Sequence, residues 1–204
     1  GLLYLECRDK DGKRSLIELD PANGKQRAVA AEAAGWSGAR LSPRGTEVAV
    51  LAPGKDDGLD VVVAQLTGGE AAVAGHLENA RPDGDGAGLA WSLTGERLAA
   101  WYSEKAEEDE DKPAVGLVLF EPAKGEKGRR KLELPHAAAP VLVASFSPDG
   151  KKLSFTVLVT EEAGDDMRMV TESYELDLPA GKPRLLARAA DKLLGARGWS
   201  PDGK

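Results

Sequence analysis

Apolar residues in this chain fall into short runs that end at turn residues and begin again a few positions later. Residues 141–146 are apolar and rich in β-formers, and predict a strand. Ser147-Pro148-Asp149-Gly150 follows as a turn with a mechanism: proline presets φ, aspartate suits the next position, and glycine takes the positive φ that closes a hairpin. Residues 152–160 predict a second strand, with Leu153, Phe155 and Leu158 among its apolar positions. An acidic, glycine-containing break over 161–166 separates it from a third strand, 167–178, whose length predicts a bulge. Pro179-Ala180-Gly181 then turns the chain into a short fourth strand, 184–187. The same plan is legible at 36–41, 47–52, 59–66 and 71–75, and again at 88–91, 97–103, 115–121 and 130–134. Helical periodicity is nearly absent, and the alanine-rich stretch 27–34 reads as strand and loop.

These units repeat. Leu41-Ser42-Pro43-Arg44-Gly45, Trp91-Ser92-Leu93-Thr94-Gly95, Phe146-Ser147-Pro148-Asp149-Gly150 and Trp199-Ser200-Pro201-Asp202-Gly203 place their serines 50, 55 and 53 residues apart. Four short strands per period, with evenly spaced turns, describe a propeller blade. The expected fold class is therefore all-β: a β-propeller of four-stranded antiparallel blades, with four repeats in this chain. The blade units are 35–76, 86–134, 141–188, and a fourth made of 192–204 together with 1–30. That last unit is split between the termini. Lys204 followed by Gly1-Leu2-Leu3-Tyr4 aligns without a gap on Lys151-Lys152-Leu153-Ser154-Phe155. Two readings stay open: a ring closed by pairing the terminal strands, or a section of a larger propeller.

The pattern aromatic-Ser-Pro-Asp-Gly-Lys, then leucine and an aromatic, then an Asp-Leu-x-x-Gly turn, resembles the repeat of TolB-type β-propellers. The same kind of repeat occurs in the propeller domains of prolyl-oligopeptidase-like peptidases. Residues 146–155 and 199–204 continued by 1–4 match closely; Arg44, and Leu93-Thr94, depart from the pattern. The resemblance implies a non-enzymatic scaffold that binds a protein or peptide, working in the periplasm or cell envelope, with other subunits of an envelope complex among its candidate partners. The alternative it implies is the access-gating propeller of a larger peptidase, which would continue into an α/β-hydrolase sequence with a nucleophile elbow.

Composition narrows the chemistry. The chain of 204 residues can bury a core unaided, and a net charge of −7 argues against a nucleic-acid partner. No apolar run approaches the length of a membrane span, and no signal segment is visible in the sequence. Cys7 is the single cysteine, so no intrachain disulfide forms. Only His76 and His136 are present, no Gly-x-Ser-x-Gly elbow or phosphate loop occurs, and no cofactor is expected. Asp9/Asp11 and Asp83/Asp85 carry Asp-x-Asp-Gly strings, a partial calcium pattern whose ordinary role is turn formation. The four tryptophans are expected between blades.

The loops carry the remaining signal. Connections between second and third strands are acidic, and the candidate binding residues there are Asp56, Asp57, Glu107, Glu108, Asp109, Glu161, Glu162, Asp165 and Asp166. The third-to-fourth turns are basic, with Lys25, Arg27, Lys124, Lys127, Arg129, Arg130, Lys131, Lys182 and Arg184. The expectation is one acidic and one basic face, the acidic one steering a basic protein or peptide partner.

Overall fold

The repeated serine has one structural job. In a computed structural model, Ser42, Ser92 and Ser147 are all buried, and each hydroxyl accepts the N–H five residues downstream: Glu47 at 3.1 Å, Arg97 at 3.0 Å and Lys152 at 2.9 Å. Each serine N–H donates to the carbonyl of that same residue at 2.9 Å, and its own carbonyl accepts from Gly45, Gly95 or Gly150, again at 2.9 Å. Those glycines sit at φ of +65°, +72° and +67°, where a side chain would be strained. Ser147 gains one bond more, donating to Asp149 Oδ1 at 2.7 Å. Arg44 at the matching place offers Ser42 no such acceptor.

The structure describes residues 3–8, 10, 14–28, 37–67, 71–81, 87–104, 114–164, 166–192 and 199–200. Its strands are β1 (Leu3–Arg8), β2 (Arg14–Leu19), β3 (Gln26–Ala28), β4 (Ser37–Leu41), β5 (Glu47–Pro53), β6 (Leu59–Gln65), β7 (Ala72–Leu77), β8 (Gly88–Trp91), β9 (Leu98–Ser103), β10 (Val115–Phe120), β11 (Arg130–Lys131), β12 (Val141–Phe146), β13 (Lys152–Ala163), β14 (Asp166–Asp177) and β15 (Arg184–Ala190). They form antiparallel sheets in the orders β1-β2-β3, β4-β5-β6-β7, β8-β9-β10-β11 and β12-β13-β14-β15. The innermost strands β4, β8 and β12 touch one another in turn. This is the propeller arrangement the repeat predicts. The expected terminal strand over 192–199 falls largely outside the described residues.

Three apolar clusters are buried among the described residues, and two of them meet the β8–β11 sheet on its opposite faces. Leu98, Ala100 and Tyr102 of β9 pack toward β5–β7, while Ala99 and Trp101 pack toward β12–β14. The next strand, β10, divides the same way, with Val118 and Phe120 on one side and Val115, Leu117 and Leu119 on the other. Both faces are buried, which is why these strands read as continuous apolar runs. Phe155 stacks on Tyr174 with ring centroids 5.6 Å apart. Gly116 lies opposite Tyr102, and a Cβ there would sit 2.3 Å from the Tyr102 ring. Tryptophans tie blades together as expected: Trp91 Nε1 donates to the Arg40 carbonyl at 3.0 Å, and Trp199 Nε1 to the Ser145 carbonyl at 3.1 Å. These are equivalent bonds, because Trp91 and Trp199 precede the turn serine and Arg40 and Ser145 lie two before it.

Three local expectations need correcting. The break expected over 161–166 is mostly strand: β13 runs to Ala163, which pairs directly with Asp166. The hairpin thereby projects beyond both neighbours, since β12 first pairs at Val157 and β15 last pairs at Val170. The bulge expected in the third strand lies instead in β15, where Leu186 is the extra residue between the Ser173–Ala187 and Tyr174–Leu185 pairs. The fourth strand expected over 130–134 shrinks to Arg130–Lys131, although the Leu132 N–H still donates to the Leu117 carbonyl at 2.8 Å. Of the alanine-rich stretch, β3 ends at Ala28, and 29–34 lie outside the described residues.

Ser147→Ala removes the half-buried hydrogen bonds of the hydroxyl to Asp149 and to Lys152 and leaves the Lys152 N–H without its hydroxyl acceptor. It is expected to cost about 1–3 kcal/mol in denaturant unfolding. Ser42→Ala, which lacks the aspartate bond, is expected to cost less. Equal losses at both sites would contradict this account of the turn.

Candidate functional site

Because the serine turns of neighbouring blades meet, the loops between second and third strands lie at the opposite end of the blades. Arg44 packs against Gly95, and Arg97 Nη1 donates to the Gly150 carbonyl at 2.7 Å, so the serine-turn end is fixed. At the other end the structure places both histidines, each held by a carboxylate.

Glu172 is buried on β14, and three donors converge on it: Tyr174 Oη at 2.5 Å, His136 Nε2 at 2.8 Å and Arg188 Nε at 2.9 Å. His136 belongs to the connection from β11 to β12, so this bond fastens one blade's exit to the next blade's third strand. Arg188 also bonds Glu161, which takes a second contact from Arg168 Nη2 at 3.4 Å. Burial pushes the Glu172 carboxyl up, but the bonds from Tyr174, His136 and Arg188 outweigh it and hold the group below the usual carboxylate range. Burial together with the Glu172 charge pushes the Tyr174 hydroxyl well above its ordinary value. Glu161 is held low chiefly by its bond from Arg188.

The second pair is His76 with Asp60, opposite each other on β7 and β6, with Nδ1 to Oδ1 at 2.8 Å. The His76 N–H donates to Glu126 Oε1 of the neighbouring blade at 2.9 Å. Gly54 and Gly58 make room for the pair; a Cβ on Gly54 would meet Asp60 Oδ1 at 2.6 Å.

Register relates the two pairs. Glu172 lies opposite Val157 and Asp60 opposite Ala52, and Val157 and Ala52 are each ten residues past their turn serine. The equivalent residue in the blade between them is Gly116, opposite Tyr102. Among the described residues, neither histidine bonds a serine, threonine or cysteine side chain, and no group of three His, Cys, Asp or Glu is placed to hold a metal. The arrangement can orient, lock and bind; it presents no activated nucleophile among these residues.

Beside the Glu172 cluster, a cleft of about 410 Å³ opens between His136, Ala137, Ala138, Ala139 and Pro140 on one wall and Leu158, Val159 and Thr160 on the other. A larger cleft of about 560 Å³ lies at the serine-turn end, lined by both acids and bases, including Arg44, Glu47, Arg97 and Lys124.

The sequence-predicted acidic residues are not equivalent in the structure. Glu161 is spent on Arg168 and Arg188. Glu162 and Asp166 are exposed, and they have no ion-pair partner among the described residues. Asp56 is exposed in a 3₁₀ turn between β5 and β6, at φ +50°. Asp57 belongs to the same turn. Glu107, Glu108, Asp109 and Asp165 lie outside the described residues, as do Asp9, Asp11, Asp83 and Asp85. Two cations grouped with the basic turns reach acids elsewhere, Lys131 to Glu104 at 3.0 Å and Arg129 to Glu78 at 3.8 Å. Glu172, Tyr174 and Arg188 were not anticipated. The usable signal was a glutamate within the alternating set Val170, Glu172, Tyr174, Leu176, where every other member is apolar or aromatic.

The fold and its turn geometry define a β-propeller, and solved structures agree. TolB from Acinetobacter baumannii is similar with a TM-score of 0.58 at 13% identity, over 99% of this chain and 44% of that one. A putative TolB from Agrobacterium tumefaciens gives 0.59 at 16% identity, over 99% and 67%. The β-propeller domain of the Trilobed protease from Pyrococcus furiosus gives 0.58 at 17% identity, over 90% and 52%. The chain thus spans less than half the length of the first of these. No protein-family profile matches the sequence, and no curated protein gives a significant match. What the likeness establishes is the propeller fold of TolB proteins and of peptidase propeller domains.

Glu172 and Glu161 have carboxyls lowered in the folded state. Their contribution to stability is therefore complete above the ordinary value of 4.5 and is lost as pH falls through their lowered values. Glu172→Gln is expected to be less stable than the parent at neutral pH and to lose less on acidification. Thermal melts across that range test this, and parallel pH curves for the two proteins would refute the cluster's role.

Proposed function

We propose that this propeller is a non-catalytic scaffold that binds a protein or peptide through the face bearing the second-to-third-strand loops and the blade connections. The observation that carries this reading is the cleft between residues 136–140 and 158–160, which opens on that face with an apolar and alanine-rich lining. The uncompensated carboxylates of Asp56, Glu162 and Asp166 lie at the same end and favour a basic partner. The TolB-like fold supports a place in the periplasm or cell envelope, within a complex of several subunits, and a ring closed by pairing of the terminal strands is part of this reading. No helix of the described residues is long and apolar enough to cross a membrane.

A second reading has its own support in the similarity to a protease propeller domain: the chain gates access to a hydrolase domain. An open reading frame in which the propeller adjoins a hydrolase sequence with a nucleophile elbow would decide for it.

The scaffold reading is tested with a fluorescent cationic peptide and the triple variant Asp56→Lys, Glu162→Lys, Asp166→Lys. Binding is expected to weaken at least about tenfold in the variant and to fall with added salt, while Glu96→Lys at the opposite end leaves it unchanged. Equal binding by parent and triple variant would exclude this face.

A further inference from the structure

The hairpin that β13 and β14 extend beyond their blade leaves a strand edge open. Leu158 is the last β13 residue bonded on the β12 side; its N–H donates to the Pro140 carbonyl at 3.0 Å. Strand alternation turns the N–H and C=O of Thr160 and Glu162 to that same side. Among the described residues no backbone partner meets them, because the chain before Val141 leaves the sheet and runs through Ala137–Pro140 as an irregular connection.

The cleft of about 410 Å³ lies where β12 would continue if it were longer. One wall is the β13 edge at Leu158–Thr160, and the other is the connection from His136 to Pro140. His136, at the start of that connection, is tied to buried Glu172. Two independent features therefore coincide: unpaired backbone groups, and a slot beside them walled by small side chains.

We infer that this slot takes an extended, basic peptide segment of a partner protein, which adds as a strand to the β13 edge in line with β12. This rests on the scaffold reading above and gives it a binding mode. Backbone pairing to Thr160 and Glu162 supplies affinity, as in other strand-addition complexes. Side chains supply selection. Thr160 and Glu162 share one face of the hairpin with Met167 and Met169, both 59% exposed, while Val159 and Glu161 lie on the other. A basic side chain opposite Glu162 gains a cross-strand ion pair, and an apolar neighbour turns toward Val159 and the alanines. Glu161 adds no net attraction, being matched by Arg168 and Arg188. An acidic strand would meet Glu162 with a like charge.

The experiment uses a short peptide alternating lysine and valine, its counterpart alternating glutamate and valine, and residue-resolved amide exchange on the whole chain. The lysine peptide is expected to protect the Thr160 and Glu162 amides, the glutamate peptide to leave them exchanging. Thr160→Pro removes the edge donor where proline is sterically acceptable and is expected to weaken binding about tenfold or more. Glu162→Lys is expected to reverse the preference between the two peptides without disturbing the fold, since Glu162 is exposed. Protection at other loops of the same face, with none at Thr160, would overturn strand addition and leave the scaffold reading standing. No protection anywhere by either peptide would overturn strand addition as well. Protection that appears without peptide and rises with protein concentration would assign the edge to a second copy of the chain and overturn the peptide partner.

Discussion

A serine hydroxyl that accepts the N–H five residues along does more than close a hairpin. It fixes where the first strand of each blade hands over to the second, and so fixes which residues of the second strand face which neighbour. Six residues past the serine stand Val48, Leu98 and Leu153, all buried. The turns themselves then touch, Arg44 against Gly95 and Ser92 against Gly150, with Arg97 donating to the Gly150 carbonyl. Blade spacing is thus set at one end of the molecule by repeated, satisfied polar contacts in small turns whose serines are buried. An open backbone donor in any of them would carry a desolvation penalty, which makes the serine hard to replace.

From that end outward, the blades are held by apolar contact on both faces. β9 and β10 sit between two cores and have almost no polar side chains, so their alternation is invisible as hydrophobicity and appears only in which core each residue joins. Glycines answer the aromatic residues: Gly116 lies under Tyr102 and Gly88 under Trp101, each too close for a Cβ. Trp91 and Trp199 add a directional bond to the preceding blade that Phe146 cannot make. Packing between blades is therefore specific where an indole is present and generic where it is not.

Local chemistry was legible in the sequence and long-range pairing was not. The turns were readable because proline, aspartate and glycine act within four residues, and their regular recurrence carried the fold class with them. The projecting hairpin was missed because Glu161, Glu162 and Asp166 look like loop residues. They are accommodated in strands because those strands stand clear of the core, and because Arg168 and Arg188 meet Glu161. Arg188 is 27 residues from Glu161, and His136 is 36 from Glu172, separations at which no spacing rule operates. The acidic and basic loops were visible as composition, but Lys131 and Arg129 reach Glu104 and Glu78 rather than lying apart from them. Charge counted by loop overstates a field that side chains partly cancel within a few ångströms.

A second set of differences between blades lies at the end away from the serine turns. The position ten past the serine faces a glycine in one blade and a carboxylate in the two others, and each carboxylate has recruited a histidine by a different route. His76 comes from the adjacent strand of the same blade and His136 from the preceding blade's exit. Both carboxylates sit where burial demands a partner: Glu172 is buried and Asp60 half-buried, and each is satisfied by a histidine that lies across from it. In the blade of β12–β15, β13 runs on past the end of β12. The histidine that satisfies the buried glutamate also belongs to the connection that walls the cleft beside the open edge. A stability device and a vacant strand position thus arise together, from one blade whose third strand is polar where its neighbour's is glycine.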